Sequence, residues 1–400
     1  MKLNAHCWFT ATFFSIAVAA SSAAVAEKKY APGVTDTEIK VGQTMPYSGP
    51  ASAWGTIGLA ELAYIKMIND RGGIAGRKIT LVSLDDSFSP PKTVEQTRKL
   101  IEEEGVAFIY GTLGPGNVAI RSYLNEKKVP QVFVAAPLEK YNDPQHFPWT
   151  MGLLPTYYLE GKTHAQYILA HKPDAKIAVL YMNDDTKEAV KGLRDGLGSR
   201  ADQLIVKELS YEVTDPTIDS QIVAFKASGA DTFYNVSAPK SAAQAIRKAS
   251  EIGWKPLHFL SSISQSISAV LEPAGLENSI GTISAFYAKD PTDPRWKDDA
   301  YTREFLVWLQ EYYPRGKPND IFVAIGYNFA QPLVYLLTQC GDDLSRENIM
   351  RQATSLHDVA LPWLLPRITL NTNPTDHQPI KQFFEGRFNG RTWELLDDQN

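Results

Sequence analysis

Short apolar runs alternate with longer amphipathic runs along most of this chain, and this alternation limits the possible folds more than any other feature. It begins at Ile39 and continues to Gly281. Each short run suits a buried strand, and each amphipathic run predicts a helix that crosses over to the next strand. Strands that are linked in this way lie parallel in one sheet. The sequence therefore predicts an α/β fold.

The alternation runs through a first unit that ends near residue 135. Glycine and proline mark its turns: Gly72 and Gly73 end the first helix, and Ser89 precedes two prolines that start the second. The expected elements are strand 39–44, helix 56–69, strand 78–84, helix 91–104, strand 106–110, helix 117–125 and strand 131–135.

The same alternation starts again after Trp149, which predicts a second doubly wound unit with a parallel sheet. Its expected elements are helix 157–170, strand 176–181, helix 187–197, strand 204–209, helix 220–227, strand 232–236, helix 241–252, strand 257–260 and strand 281–287. Later patterns predict helices 295–312, 322–338 and 346–354, a strand 367–370, and a hairpin of strands 384–388 and 392–396. The long helices are expected to pack on an existing sheet, and Asn389-Gly390 suits the tight turn of the hairpin.

The first 26 residues have the pattern of a secretory signal peptide. A basic residue is followed by an apolar run that starts at Trp8, and small residues end the segment at Ala26. We expect cleavage after Ala26 and a periplasmic mature protein. Cleavage also removes Cys7, so Cys340 remains as the single cysteine and no internal disulfide is expected.

The charge balance and length limit the possible partners. The net charge is −5, and no basic patch with interleaved aromatic residues is present. We therefore expect no nucleic-acid partner. No segment after the signal peptide is expected to be long and apolar enough to cross a membrane. The mature chain is long enough for two domains of ordinary size.

A glycine-rich loop lies between the third strand and the helix that follows it. It reads Gly-Thr-Leu-Gly-Pro-Gly-Asn over 111–117. In an open α/β sheet, ligands bind beyond the carboxyl ends of the strands, where this loop lies. Glycine lets the backbone approach a ligand closely, and the free amides at a helix start attract an anion. The loop thus predicts a carboxylate-binding site made by Leu113, Gly114, Pro115, Gly116 and Asn117.

Nucleotide-binding patterns fit this loop poorly. A phosphate loop needs lysine and Ser/Thr where Asn117 and Val118 stand, and the glycine spacing is G-x-x-G-x-G instead of the dinucleotide fingerprint. No cofactor is therefore expected. A tight strand-to-helix turn that binds nothing stays an alternative.

Other strand ends carry aromatic and acidic residues. Trp54, after the first strand, could form one wall of a cleft or pack its loop onto the following helix. The pairs Asp85-Asp86 and Asp184-Asp185 could serve acid–base chemistry or bind a cation. Acids at strand ends also cap the helices that follow, so both interpretations stay open.

The sequence lacks the common catalytic patterns. Its histidines are scattered, with no H-E-x-x-H zinc pattern and no G-x-S-x-G nucleophile elbow. Cys340 lies in an apolar helical pattern and is expected to be a core residue. We therefore expect a binding protein and not an enzyme, with an enzyme or a sensory receptor domain on the same fold as alternatives.

Several stretches along the chain also form a familiar combination. They include Ile-Asn-Asp-Arg-Gly-Gly-Ile-Ala-Gly-Arg-Lys at 68–78, Leu-Asp-Asp-Ser-Phe-Ser-Pro-Pro at 84–91 and Phe-Pro-Trp-Thr-Met at 147–151. Together they resemble the leucine/isoleucine/valine-type periplasmic binding proteins of ATP-driven (ABC) importers, which form a type I class. The resemblance covers essentially the whole mature chain.

This resemblance implies two doubly wound lobes joined by three crossovers, near 150–153, 284–289 and 364–369. Lobe 1 would comprise 27–150 plus 288–364, and lobe 2 would comprise 151–287 plus 365–400. A hinge motion would close the lobes around a ligand. The closed protein, expected to be a monomer, would then deliver the ligand to a membrane permease.

The resemblance also implies where a ligand binds. Relatives that bind amino acids hold the carboxylate with the loop matching 113–117 and with a Ser/Thr-containing turn after the fourth strand. In this chain the turn has Ala135 and Ala136 and no hydroxyl. The relatives' ammonium-binding acid aligns with Ile263, and their tyrosines align near Ser237 and Thr186.

An amino acid therefore fits this alignment less well than a deaminated acid. Burying an ammonium without a counter-charge costs several kcal/mol. We expect a small carboxylate with an aromatic or branched aliphatic body. Because Asp184 or Asp185 could supply a substitute charge, a branched-chain amino acid remains the alternative. The expected ligand contacts are Trp54, Leu113, Gly114, Pro115, Gly116, Asn117, Ala135, Ala136, Asp184, Asp185, Ser237, Ile263 and Ser264, with Tyr287 at a hinge.

Overall fold

A computed structural model describes residues 28–396 of the chain, and the signal peptide predicted at 1–26 lies outside the described residues. The strands are β1 (Lys29–Tyr30), β2 (Glu38–Met45), β3 (Lys78–Asp85), β4 (Ile109–Tyr110), β5 (Gln131–Val134), β6 (Thr150–Gly152), β7 (Ile177–Met182), β8 (Ile205–Tyr211), β9 (Thr232–Val236), β10 (Leu257–Leu260), β11 (Ile283–Phe286), β12 (Asp343–Leu344), β13 (Phe384–Phe388) and β14 (Trp393–Leu395). The helices are α1 (Gly55–Asp70), α2 (Pro90–Glu102), α3 (Gly116–Glu126), α4 (Tyr157–His171), α5 (Lys187–Leu197), α6 (Ala201–Leu204), α7 (Asp219–Ala227), α8 (Pro239–Glu251), α9 (Glu272–Ala274), α10 (Ala300–Tyr312), α11 (Ile321–Cys340) and α12 (Arg346–Ala353).

Five strands form the sheet of lobe 1. Their order is β3-β2-β4-β5-β6, and all neighbours are parallel. Helix α1 packs against β3 on one side and against α10 and α11 on the other, while α2 and α3 pack together. A short parallel pair, β1 with β12, lies outside this sheet.

Seven strands form the sheet of lobe 2, in the order β14-β13-β11-β10-β9-β7-β8. The strands from β7 to β11 run parallel, whereas β13 pairs antiparallel with β11 and β14 pairs antiparallel with β13. The hairpin predicted from Asn389-Gly390 is confirmed, and the Asn389 amide donates to the Thr392 carbonyl at 3.1 Å. The predicted architecture of two doubly wound α/β lobes is therefore confirmed.

The chain crosses between the lobes three times: after β6, after β11, and between α12 and β13. Two of these crossing segments pair with each other. Ala288 forms an antiparallel bridge with Leu364, and the Leu365 amide donates to the Tyr287 carbonyl at 3.1 Å. This pairing ties together the segments about which the lobes would move.

Some predicted elements differ from the structure. The strand expected at 106–110 is regular only at β4: Ala107 and Phe108 each make one backbone hydrogen bond to β2, and the Val106 amide donates to the Leu100 carbonyl of α2. The strand expected at 367–370 is absent: Arg367 has φ +74°, and Leu370 forms only an isolated bridge with Val359. Strand β6 was missed because its three residues follow directly on a Pro-Trp turn.

Helix α11 corrects the expectation that no segment could cross a membrane. Among the residues from 28 to 396, it is the one helix long and apolar enough to do so by length and composition. Two thirds of its apolar window is buried within the protein, where it packs against α1 and α12. This burial is typical of the core helix of a globular lobe, and Cys340 at its end is a buried free thiol.

Candidate functional site

A cleft between the two lobes brings most of the predicted site residues together. Its empty space, with the open mouth included, is about 800 Å³. The predicted residues that line it are Trp54, Leu113, Gly114, Pro115, Ala135, Ala136, Asp184, Asp185, Ile263 and Tyr287. The other lining residues are Ile57, Phe88, Pro137, Leu138, Leu154, Pro155, Tyr157, Met182, Thr186, Ser262, Phe322, Ile325 and Phe329. Most of these side chains are apolar, so the cleft suits a ligand with an apolar body.

An irregular strand places the alanine wall of the cleft. In β5, Phe133 has φ +54°, and the register of pairing with β6 shifts between Gln131 and Val134. A left-handed conformation costs a non-glycine residue roughly 1–2 kcal/mol. The distortion is followed directly by Ala135 and Ala136, and the Ala135 amide donates to the Thr112 carbonyl at 2.9 Å. This bond holds the alanine turn against the glycine-rich loop.

The glycine-rich loop presents its central part to the cleft and is braced from behind. Helix α3 starts at Gly116 without a side-chain cap, and its Asn117 and Val118 amides donate at 3.4 Å to the carbonyls of Gly114 and Pro115. The positive end of the helix dipole, which favours an anion, therefore lies at this wall. Asn117 is buried, and its side-chain amide donates to the carbonyls of Thr112 at 3.1 Å and Gly114 at 2.9 Å. A Cβ on Gly116 would lie 2.1 Å from Thr93 Oγ1, because this glycine packs on α2. The Asn117 side chain therefore points away from the cleft, and neither Gly116 nor Asn117 is among the residues that line it. Contact between a ligand and their backbone amides stays a prediction.

Two aromatic rings of lobe 1 pack against each other in a tilted arrangement. The centroids of Trp54 and Phe88 lie 5.2 Å apart with an interplanar angle of 43°. Phe88 has φ +61°, and its amide donates to Asp86 Oδ1 at 2.9 Å. Asp85 accepts likewise from the Ser87 amide at 3.0 Å. Asp85 and Asp86 thus stabilise the turn that carries Phe88. Phe88 lines the cleft but was not among the predicted ligand contacts.

The two residues of the second acidic pair, Asp184 and Asp185, have different partners. Asp185 pairs with Lys140 at 2.7 Å, an ion pair that joins lobe 2 to lobe 1. Asp184 accepts from the Thr186 amide at 2.9 Å. Burial raises the pKa of the Asp184 carboxyl above its usual range, although the hydrogen bonds from Thr186 oppose the rise. Asp184 therefore lines the cleft as a carboxyl group that burial makes harder to ionise.

Two predicted serines lie behind the lobe 2 wall. Ser264 donates to the Ser237 carbonyl at 2.6 Å, and the Ser237 hydroxyl donates to Asn235 Oδ1. Both serines are fully buried. Neither lines the cleft, so the prediction of Ser237 and Ser264 as ligand contacts is corrected: they join two strand ends beneath it.

A buried charge cluster supports the turn that carries Ile263. Glu160 accepts from the Ser262 amide at 2.7 Å and from the Ser262 hydroxyl at 3.1 Å. His164 contacts Glu385 at 2.9 Å and Glu160 at 3.6 Å. Burial alone would lower the pKa of His164, but the two carboxylates outweigh it and raise the pKa to about 10. His164 is thus a charged imidazolium that lies between the carboxylates of Glu160 and Glu385.

The lobes touch directly across the cleft. The Trp54 indole Nε1 donates to the Ile263 carbonyl at 3.0 Å, and the Ser266 hydroxyl donates to Asp320 Oδ1 at 3.0 Å. Tyr287 lines the cleft and belongs to the paired crossing segments. Direct side-chain contacts thus join the two lobes beside the cleft.

The apolar end of the cleft was missed by sequence reasoning. Phe322, Ile325 and Phe329 lie on one face of α11, and Ile57 of α1 lies beside them. Their spacing of three and four residues is the ordinary pattern of a core-facing helix. Such a pattern carries no signal that separates a cleft wall from a core.

Nowhere between residues 28 and 396 do three or more His, Cys, Asp or Glu side chains group as metal ligands. The polar groups of the cleft itself are two acids, two hydroxyl residues and two tyrosines. The arrangement can enclose a small molecule, bind an anion at α3 and accept a hydrogen bond at Asp184.

Comparisons with known proteins agree with this arrangement. The family model described as periplasmic binding protein matches residues 38–392. The chain is 26% identical over 327 residues to the Leu/Ile/Val-binding protein homolog 1 of Brucella suis biovar 1 (strain 1330), covering 76% of this chain and 83% of that protein.

Solved structures share the fold. A branched-chain amino acid ABC transporter protein from Thermus thermophilus with bound valine has a TM-score of 0.79 at 14% identity, and covers 92% of this chain and 98% of that one. A fatty acid ABC transporter substrate-binding protein from Thermomonospora curvata has a TM-score of 0.76 at 22% identity, and covers 93% of this chain and 95% of that one. At these identities the likeness concerns the fold alone. Because the family model spans nearly all of the described residues, the chain belongs to the periplasmic binding protein family.

Proposed function

We propose that this chain is the solute-binding component of an ABC importer, and that it captures a small organic acid between its lobes. The acid has an aromatic or branched aliphatic body, and the closed protein delivers it to a membrane permease without changing it. The signal peptide at 1–26 is cleaved on export to the periplasm, and the mature protein is a monomer. Lobe 1 comprises residues 27–150 plus 288–364, and lobe 2 comprises residues 151–287 plus 365–400.

The observation that carries the proposal is that the start of helix α3, which can bind an anion, adjoins an apolar cleft. Helix α3 begins without a side-chain cap beside Leu113, Gly114 and Pro115. Amides at such a position favour a carboxylate through hydrogen bonding and the helix dipole. Six aromatic residues line the same cleft, and they provide large apolar surfaces for the ligand body: Trp54, Phe88, Tyr157, Tyr287, Phe322 and Phe329.

A branched-chain amino acid is the second candidate. The named relative is a Leu/Ile/Val-binding protein homologue, and one structural neighbour holds valine. In this chain Asp184 supports that candidate, because its carboxylate lies in the cleft and could balance an ammonium. The two candidates differ in one chemical group, the α-amine.

Matched ligand pairs test the proposal. The purified mature protein is unfolded, freed of bound ligand, refolded and titrated by calorimetry with 4-methylpentanoate against leucine and with 3-phenylpropanoate against phenylalanine. We expect at least one acid to bind more tightly than its amino acid partner. Tighter binding of both amino acids would establish the second candidate instead, and no binding of any of the four would refute both.

A substitution in the alanine wall tests whether this cleft is the site. Ala136→Leu places a larger side chain in the cleft, so we expect at least a tenfold loss of affinity for the ligand that binds. Ala170→Leu makes the same change at an exposed position of α4 and should leave affinity unchanged. Equal affinity for wild type and Ala136→Leu would place the ligand elsewhere.

A further inference from the structure

The cleft offers few side-chain donors that could hold an acid. Among the described residues, no lysine, arginine or histidine lines it. An ionised carboxylate that leaves water needs hydrogen-bond donors, so the N–H and O–H groups of the lining side chains decide where it can bind. Five lining side chains carry such a group: Trp54, Tyr157, Thr186, Ser262 and Tyr287.

Three of these five groups already donate within the protein. The Trp54 indole donates to a lobe 2 carbonyl at 3.0 Å, and the Thr186 hydroxyl donates to the Met182 carbonyl at 3.0 Å. The Ser262 hydroxyl donates to Glu160 at 3.1 Å. Each of these groups has a single hydrogen, so none of the three has a further hydrogen to donate to a ligand.

The hydroxyls of Tyr157 and Tyr287 are the two that remain. Both residues are more than nine-tenths buried, with exposed fractions of 7% and 8%. Neither hydroxyl forms a hydrogen bond with a residue from 28 to 396, and neither is enclosed by protein as the unpartnered hydroxyls of Tyr141 and Tyr234 are. They therefore open onto the cleft that their side chains line. Burial raises the pKa of both phenols above the ordinary 10, so they stay O–H donors at neutral pH.

Both tyrosines lie where the chain crosses between the lobes. Tyr157 begins α4 after the first crossing, and Tyr287 follows β11 in the second. The Tyr157 amide donates to the Pro137 carbonyl at 2.6 Å, so the start of α4 adjoins the alanine turn. The same turn is bonded through Ala135 to the glycine-rich loop that leads into α3. Tyr157 and the start of α3, whose dipole favours an anion, are therefore neighbouring parts of the cleft wall.

We propose that the hydroxyls of Tyr157 and Tyr287 donate hydrogen bonds to the carboxylate of the captured acid. This inference rests on the proposed function and names the side chains that hold the acid group. Two neutral donors take the place of a cation at this site. A phenol that loses water when a ligand enters needs an acceptor in return, and the carboxylate supplies it.

The two tyrosines differ in their electrostatic surroundings. After burial, the Asp184 charge has the largest effect on the pKa of Tyr157, so an acid bound there would also be repelled by Asp184. The charge that acts on Tyr287 is that of Glu160, which His164 contacts at 3.6 Å. The imidazolium offsets that charge. Tyr287 should therefore contribute more to the affinity than Tyr157 does.

Phenylalanine substitutions test the inference, because they remove each hydroxyl and keep its ring. Wild type, Tyr157→Phe and Tyr287→Phe are titrated by calorimetry with 3-phenylpropanoate and with 4-methylpentanoate. The carboxylate is the only polar group of either acid, so a hydroxyl that contacts the ligand through a hydrogen bond must contact the carboxylate. Tyr287→Phe should weaken binding roughly 10- to 150-fold, as expected for a hydrogen bond to a charged group, and Tyr157→Phe should weaken it less.

Tyr234→Phe is the matched control. It removes an unpartnered buried hydroxyl of β9 that does not line the cleft, so acid affinity should equal that of wild type. Melting temperatures without ligand separate ligand binding from a structural role. Because the Tyr157 and Tyr287 hydroxyls have no partner among the described residues, neither substitution should lower the melting temperature of the ligand-free protein.

Three results would overturn the inference and leave the proposed function intact: wild-type affinity in both Tyr157→Phe and Tyr287→Phe, an equal loss in Tyr234→Phe, or a loss accompanied by a lower melting temperature without ligand. Absence of binding of both acids to wild type would instead refute the proposed function, and this inference with it.

Discussion

The indole Nε1 of Trp54 donates a hydrogen bond to the carbonyl of Ile263 at 3.0 Å, and this bond joins lobe 1 to lobe 2 across the cleft. Trp54 also packs against the Phe88 ring of its own lobe, while its indole N–H contacts the other lobe. A motion that separates the lobes at this point would break the bond. The bond should therefore stabilise the closed, ligand-holding state relative to an open one.

Trp54→Phe should remove this bond and keep most of the ring packing. A net hydrogen bond contributes about 0.5–1.5 kcal/mol, so ligand dissociation should become roughly 2- to 12-fold faster. Stopped-flow displacement measures that rate. Trp254→Phe is the matched control, because its indole donates at 2.8 Å to the Ala230 carbonyl within lobe 2. The control should lower the melting temperature and leave the dissociation rate unchanged. An unchanged rate in Trp54→Phe would show that the bond does not govern closure.

The charge cluster around His164 makes stability depend on pH. Burial opposes its protonation, but Glu385 and Glu160 raise the pKa of His164 in the folded state to about 10, from an ordinary 6.5. The folded state therefore binds a proton that the unfolded state releases above pH 6.5. The stabilisation is complete below pH 6.5 and is lost as the pH rises to about 10.

His164→Gln removes the imidazolium that both buried carboxylates contact, so the free energy of unfolding should fall by about 3–5 kcal/mol at pH 6.5. Urea titrations from pH 6.5 to 10 should show this loss becoming smaller as the pH rises. His146→Gln alters an exposed pair with Asp143 and should change stability by less than about 1 kcal/mol. A loss for His164→Gln that is the same at every pH would contradict an imidazolium at this site.

Glu61 is a second buried ionisable group, in the core of lobe 1. Burial raises its pKa to about 8, although a hydrogen bond from Gln43 opposes the rise. The folded state therefore keeps a proton that the unfolded state releases above pH 4.5, and stability falls between pH 4.5 and about 8. A neutral amide of the same shape removes that dependence.

Glu61→Gln should increase the free energy of unfolding, by little at pH 5 and by on the order of 2–4 kcal/mol at pH 8. Chemical denaturation at the two pH values measures both numbers. Glu95→Gln, at an exposed position of α2, should show no difference between them. A destabilised Glu61→Gln at pH 8 would mean that the ionised carboxylate has a partner the protein needs.

The fold followed from the sequence more completely than the site did. Alternating runs set the βαβ order in both lobes, and Asn389-Gly390 located the closing hairpin. The prediction of a strand at 367–370 was wrong because local apolar composition does not reveal a residue in the left-handed conformation, such as Arg367. The membrane-like composition of α11 likewise reflects burial of two thirds of its apolar window within the protein.

Within the site, the sequence predicted which loops lie at the cleft, but it did not predict which way their side chains point. The walls at Leu113 and Ala135 follow from the strand-end rule for open α/β sheets. Asn117 and Ser264 point away from the cleft because their polar groups complete hydrogen bonds inside their own lobes. Phe88 and Phe322 face the cleft through a backbone turn and a helix rotation, neither of which a residue list specifies.

The central claim is that the cleft captures an organic acid and releases it unchanged. Calorimetric titration of the mature protein with 3-phenylpropanoate and 3-(4-hydroxyphenyl)propanoate, followed by NMR of the recovered ligand, tests it most directly. The account predicts one ligand molecule per chain for at least one of these acids, and a recovered spectrum identical to that of the starting compound. Conversion of the ligand, or tight binding of leucine and phenylalanine with no binding of either acid, would contradict it.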